Sequence, residues 1–138
     1  MTRFRQFQPW ITCLLVGYWI GMFTGTHLPK IPRALDTSLP DKTLHYAAFA
    51  GLGFLLATRR ATTGRIRWRD AALLLGIMAA YGIFDELTQP FFGRTADPYD
   101  WFADLIGGTS GLLLFLGAEF VWRRLSQSAP QSVSGKTA

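Results

Sequence analysis

Charge placement constrains this chain more than any other feature. Its Asp, Glu, Lys and Arg residues gather in short clusters, and between the clusters lie apolar stretches of about the length that crosses a bilayer. A hydrocarbon core of about 30 Å needs roughly 20 residues of helix at about 1.5 Å rise each. The stretches cover residues 9–28, 43–58, 71–92 and 101–122. The second is short for a full span unless its polar first turn lies among the headgroups. Backbone groups in lipid must pair within their own segment, so helices are expected, and no alternating pattern supports a barrel. A charged share of 17% agrees, since soluble domains carry about a quarter. The chain reads as an all-α integral membrane protein, a compact bundle of four transmembrane helices, and not as a water-soluble enzyme or binding domain.

The breaks between stretches are well marked. Pro29 and Pro32 cannot continue the first helix, and Thr62, Thr63, Gly64 and Arg65 separate the second from the third. Pro90 and Gly93 end the third, and Asp97 and Pro98 lead into the fourth. Residues 1–124 thus make one transmembrane domain, and the small, polar residues 125–138 read as a disordered tail. Arg3 and Arg5 precede the first stretch as they would in a signal peptide. The stretch is long for one and no Ala-x-Ala site follows, so it is expected to be retained.

Lys and Arg in short loops set orientation. With the N-terminus inside, the inner side holds Arg3, Arg5, Arg59, Arg60, Arg65, Arg67, Arg69, Arg123, Arg124 and Lys136, against Lys30, Arg33, Lys42 and Arg94 outside. Ten against four places both termini in the cytoplasm. These residues account for the net charge of +5 and flank apolar segments, which argues against a nucleic-acid partner. Membrane lipids are the partners expected instead. The lone Cys13 lies inside the first stretch, so neither a disulfide nor a thiolate metal site is expected. Gly17, Gly21 and Gly25 share one helix face, as do Gly107 and Gly111. Small residues at this spacing let helices approach closely in lipid and are candidates for a packing seam or a homo-oligomer contact.

That orientation gathers the titratable groups. Asp36, Asp41, Asp85, Glu86, Asp97, Asp100 and Asp104 fall on the outer side, with both histidines, His27 and His45. Asp41 and Lys42 open the second helix, and His45 lies one turn further in. Tyr81, Asp85 and Gln89 stack on one face of the third helix with Glu86 beside them. Asp97, Asp100 and Asp104 follow at intervals of three and four, entering the fourth. Carboxylates at this depth are costly unless paired, so they mark a candidate site, with Lys42 and Arg94 as the cations at hand. A plain ion-pair network of Asp85, Glu86, Lys42 and Arg94 that fixes helix packing is the alternative. One histidine among carboxylates suits a hard or borderline divalent ion, with His45, Glu86 and Asp104 as the metal candidates, although no paired histidines or cysteines support it. No activated nucleophile and no glycine-rich phosphate loop is present, and no cofactor is expected.

Three motifs in order resemble the VanZ-like family: Asp41-Lys-Thr-Leu-His45-Tyr, Asp85-Glu-Leu-Thr-Gln89, and Arg94 followed by Asp100-Trp-Phe-Ala-Asp104-Leu-Ile-Gly107. The resemblance spans about residues 9–123. It implies a small multi-pass protein of the bacterial cytoplasmic membrane, in a family whose founding member is associated with resistance to the glycopeptide teicoplanin. Asp41, Lys42, His45, Asp85, Glu86, Gln89, Arg94, Asp100 and Gly107 match the pattern. At position 104 the family often has Asn, so Asp104 adds a charge to the cluster here.

Two functions follow as expectations. In the first, the outer cluster binds, and in one form modifies, a polar envelope component such as a lipid-linked precursor, a glycolipid or a glycopeptide antibiotic. His45, Asp85 and Glu86 are then the candidates for catalysis. Asp41, Lys42, His45, Asp85, Glu86, Gln89, Arg94, Asp100 and Asp104 bind the ligand, with Lys42 and Arg94 holding an anion. In the second, the chain is a non-catalytic scaffold joined to other envelope proteins through its glycine-lined faces. A transporter is disfavoured, because the short spans carry no midplane charge.

Overall fold

The computed structural model describes residues 5–28 and 40–128. They form four helices: α1 (Gln8–His27), α2 (Asp41–Ala61), α3 (Trp68–Thr88) and α4 (Pro98–Ser128). Short 3-10 turns at Arg5–Phe7 and Gln89–Phe92 precede α1 and follow α3, and no strand occurs among the described residues. Two of the helical segments, Trp68–Phe92 and Pro98–Ser128, are long and apolar enough to cross a membrane. The linker residues Pro29, Lys30, Pro32, Arg33 and Asp36, the terminal Arg3 and Lys136, and residues 129–138 of the expected tail lie outside the described residues.

The limits differ from expectation in informative ways. α2 has 21 residues, which at about 1.5 Å each gives roughly 30 Å, so it is not the short element expected from its apolar run. Its polar ends, Asp41 to Thr43 and Arg59 to Ala61, are helical too. α4 runs to Ser128, into the segment expected to be tail, because no Gly or Pro stands between Trp122 and Ser128 to stop it.

Local chemistry explains the remaining ends. The Asp70 carboxylate accepts the Arg67 backbone N–H at 2.8 Å and opens α3. Gly93, at φ 76°, turns the chain out of the 3-10 segment; only glycine adopts that left-handed conformation cheaply. Its turn brings the Arg94 N–H back to the Gln89 carbonyl at 3.3 Å.

Helices consecutive in the chain run antiparallel. Arg59 at the end of α2 donates to Thr12 near the start of α1 at 2.7 Å, and Arg60 pairs with Asp70 at the start of α3 at 2.9 Å. One end of the bundle is therefore basic. The tightest seam joins α2 to α4. Gly107 lies on the Tyr46 carbonyl, Gly111 on that of Ala50, and Gly53 on that of Gly108, so a Cβ at any of the three would strike backbone. Along α1 the expected seam is not found. A Cβ at Gly17, Gly21 or Gly25 would meet nothing, because that face points away from the bundle. α1 is held instead by Tyr18, whose hydroxyl reaches across Gly51 to donate to the Ala48 carbonyl at 2.8 Å.

Burial is inverted relative to a water-soluble domain. The largest fully buried side chains include Gln89, Asp85 and Asp104 beside Phe49, Leu52 and Met78. Leu14, Ile20, Leu73, Leu87, Ile106, Leu113 and Phe120 are exposed. Soluble domains keep Asp and Gln outside and seldom expose an apolar surface this continuous.

Candidate functional site

The polar core lies at the end opposite the basic one, where α1 and α3 finish and α2 and α4 begin. Antiparallel packing brings the four element ends together there, and each supplies polar side chains. Three layers can be distinguished by what the side chains touch.

The outermost is a set of ion pairs. Lys42 bridges Asp97 at 2.5 Å and Asp100 at 3.1 Å, tying the start of α2 to the start of α4. Arg94 pairs with Asp41 at 2.8 Å and ties the loop after α3 to the same place. The Lys42 ammonium, helped by the Tyr99 backbone N–H, holds the Asp97 carboxyl below the usual carboxylate range. Both cations are thus committed to Asp97, Asp100 and Asp41. The expected network of Lys42 and Arg94 with Asp85 and Glu86 is not formed among these contacts.

Beneath this layer His45, Glu86 and Asp104 converge. One nitrogen or carboxylate oxygen from each lies within 4.8 Å of the other two, and all three residues are buried. His45 Nδ1 stands 3.0 Å from Asp104 Oδ1, joining α2 to α4. Glu86 is gripped at both oxygens: Gln89 Nε2 donates to Oε1 at 3.3 Å, and the Asp97 backbone N–H donates to Oε2 at 2.8 Å. Asp104 Oδ2 is buried and accepts no hydrogen bond from any described residue.

The third layer surrounds Asp85, which faces α1 rather than the His45 group. Asp85 Oδ1 accepts the Thr26 hydroxyl at 2.9 Å and the Tyr81 hydroxyl at 3.3 Å, and Gln89 reaches Oδ2 at 3.4 Å. His27 lies beside it, Nδ1 being 3.7 Å from Asp85 Oδ1. That nitrogen also donates to the Phe23 carbonyl at 2.8 Å, while Nε2 meets the Thr88 hydroxyl at 2.8 Å. The ring stacks on Phe23 with centroids 3.9 Å apart. Asp85 and Glu86, adjacent in sequence, therefore enter different layers, and Gln89 is their link.

The sequence that folds in this way is matched by a family model. The model of VanZ/LLP1 covers residues 6–123. The chain belongs to the VanZ/LLP1 family. No curated protein and no solved structure matches it.

In this VanZ/LLP1 chain all nine residues singled out from the sequence stand at one end of the bundle, but not as a single group. Reading the sequence missed the partners of Asp85. His27 was visible as an outer-side histidine, and Tyr81 as a residue on the Asp85 face. Nothing in the spacing connected Thr26 or His27 with that carboxylate. The available signal was that α1 and α3 both end there, so the last polar residues of α1 must meet the last turns of α3.

Proposed function

We propose that this protein is a multi-pass protein of the bacterial cytoplasmic membrane with four spans and both termini in the cytoplasm. Its acidic outer end binds, and in one form modifies, a polar cell-envelope component. The inverted burial and the apolar exteriors of α3 and α4 support residence in a bilayer. The arginines at the end defined by Arg59 and Arg60 support that end as cytoplasmic.

One observation carries the binding reading: His45, Glu86 and Asp104, from three different helices, bring ligating atoms together in a buried group that no lysine or arginine among the described residues neutralises. A network that served packing alone would pair its charges. Here the paired charges are the outer ones, and the inner ones are left with acceptor capacity. Because Lys42 and Arg94 already serve acids, the site's spare capacity suits hydroxyl, amine or cationic groups better than a bare anion. Lipid-linked precursors, glycolipids and glycopeptides all carry such groups.

The test replaces His45 or Glu86 with Gln, with membrane levels of the protein verified, in a host whose glycopeptide or lipopeptide susceptibility the wild-type protein alters. Susceptibility should return to that of the host without the protein. If instead both variants act as wild type while Gly17→Leu, Gly21→Leu and Gly25→Leu abolish the effect, the open face of α1 and a scaffold role replace this reading.

A further inference from the structure

We propose that His45, Glu86 and Asp104 form a divalent-cation site that takes a borderline ion such as Zn2+ or Mn2+. Convergence within 4.8 Å is the starting point, and Asp104 is the feature that decides. Its side chain is wholly buried, Oδ1 faces His45 Nδ1 at 3.0 Å, and Oδ2 has no hydrogen-bond donor among the described residues. An unmet carboxylate oxygen at this depth is costly, and a cation bound by the carboxylate would relieve that cost.

The surrounding charge points the same way. Lys42 and Arg94 are held by Asp97, Asp100 and Asp41, so among the described residues His45 alone stands beside Glu86 and Asp104 to balance them. A spacing of 3.0 Å between Nδ1 and Oδ1 is that of a hydrogen bond. It is also that of two ligands on one ion, each at about 2.1 Å. Glu86 is oriented for ligation by Gln89 and by the Asp97 backbone, and each oxygen keeps a lone pair free.

The donor set also limits the ion. One nitrogen and carboxylate oxygens without sulfur do not select a soft metal, and three residues do not supply the roughly six to eight oxygens that Ca2+ prefers. A second group, Asp41, His45 and Asp100, shares the histidine, but its two acids already hold Arg94 and Lys42. Three protein ligands leave coordination positions open. The inference deepens the proposed function, in that an oxygen of the envelope component would be held through the ion. The ion itself is tested without any such component, so the two readings fail separately.

Protein purified in detergent and stripped with a chelator is titrated with Zn2+ and with Mn2+ by calorimetry, and bound metal is counted by mass spectrometry. Wild-type protein should take up about one ion per chain, and Glu86→Gln and Asp104→Asn should each bind at least about tenfold more weakly. Circular dichroism and thermal unfolding establish that each variant is folded. Asp104→Asn keeps an oxygen to accept from His45. Folded wild-type protein that binds neither ion overturns the proposal. So does uptake that both variants leave intact, or uptake lost only in Asp41→Asn and Asp100→Asn. Should the variants not fold, Co2+ on the wild-type protein decides: a visible spectrum displaced by nitrogen and carboxylate ligation is expected, and the unchanged spectrum of the hydrated ion refutes it.

Discussion

Asp85 shows how an acid can be buried with no lysine or arginine beside it among the described residues. Thr26, Tyr81 and Gln89 all donate to it, and of these the Thr26 hydroxyl at 2.9 Å makes the shortest bond. Hydrogen bonds to a charged group are worth more than neutral ones, and a buried acceptor left short of donors costs about 1–3 kcal/mol. Thr26→Val should therefore lower stability by that amount, read from thermal or denaturant unfolding in detergent. The double variant Thr26→Val with Asp85→Asn should lose less than the two singles added together, because the charge that needs the hydroxyl is gone. Strict additivity would mean that the two side chains do not share a bond. The acids at one end were legible as residue types at helical spacings. Their partners were not, because Thr26 is 59 positions from Asp85 and only rotation of α1 about its axis selects Thr26 to face α3.

At the level of elements, glycine has opposite meanings in two helices that carry it at the same spacing. Gly107 and Gly111 of α4 lie directly on α2 carbonyls, whereas Gly17, Gly21 and Gly25 of α1 face outward. Backbone contact of this kind cannot yield as a flexible side chain can, and overpacking typically costs about 1–3 kcal/mol. Gly111→Leu should cost at least this much and loosen α2 from α4, while Gly21→Leu should leave unfolding unchanged within error. Equal effects would remove the distinction. Periodicity could show that glycines share a face, but it carries no information on whether that face meets another helix. The end of α4 has a related lesson. Leu125 to Ser128 are polar enough to suggest a tail, yet with no breaker present the helix continues through them.

On the scale of the whole molecule, the two ends differ in chemistry. Arginines gather where α2 ends and α3 begins, and buried acids gather where α3 ends and α4 begins. The proposed topology puts the acidic end outside. With Cys13 replaced by Ala, a cysteine at Thr95 should be labelled by an impermeant maleimide in intact cells, and one at Thr63 only after the membrane is opened. The reverse pattern would invert the molecule and place the site in the cytoplasm. Apolar length and charge placement determined, from the sequence alone, that the described residues are helical without strands, that they form four helices, and which residues gather at each end. These are properties of single segments and their order, and alternating direction brings the ends together without further information. Tertiary structure alone decided which charges pair with each other and which find no lysine or arginine among the described residues. It bound Lys42 and Arg94 to outer acids, turned Asp85 toward α1 and Glu86 toward the α4 approach, and left one oxygen of Asp104 unmet by any described residue. Those outcomes depend on the rotation and depth of each helix against its neighbours, which packing sets and spacing along the chain does not encode.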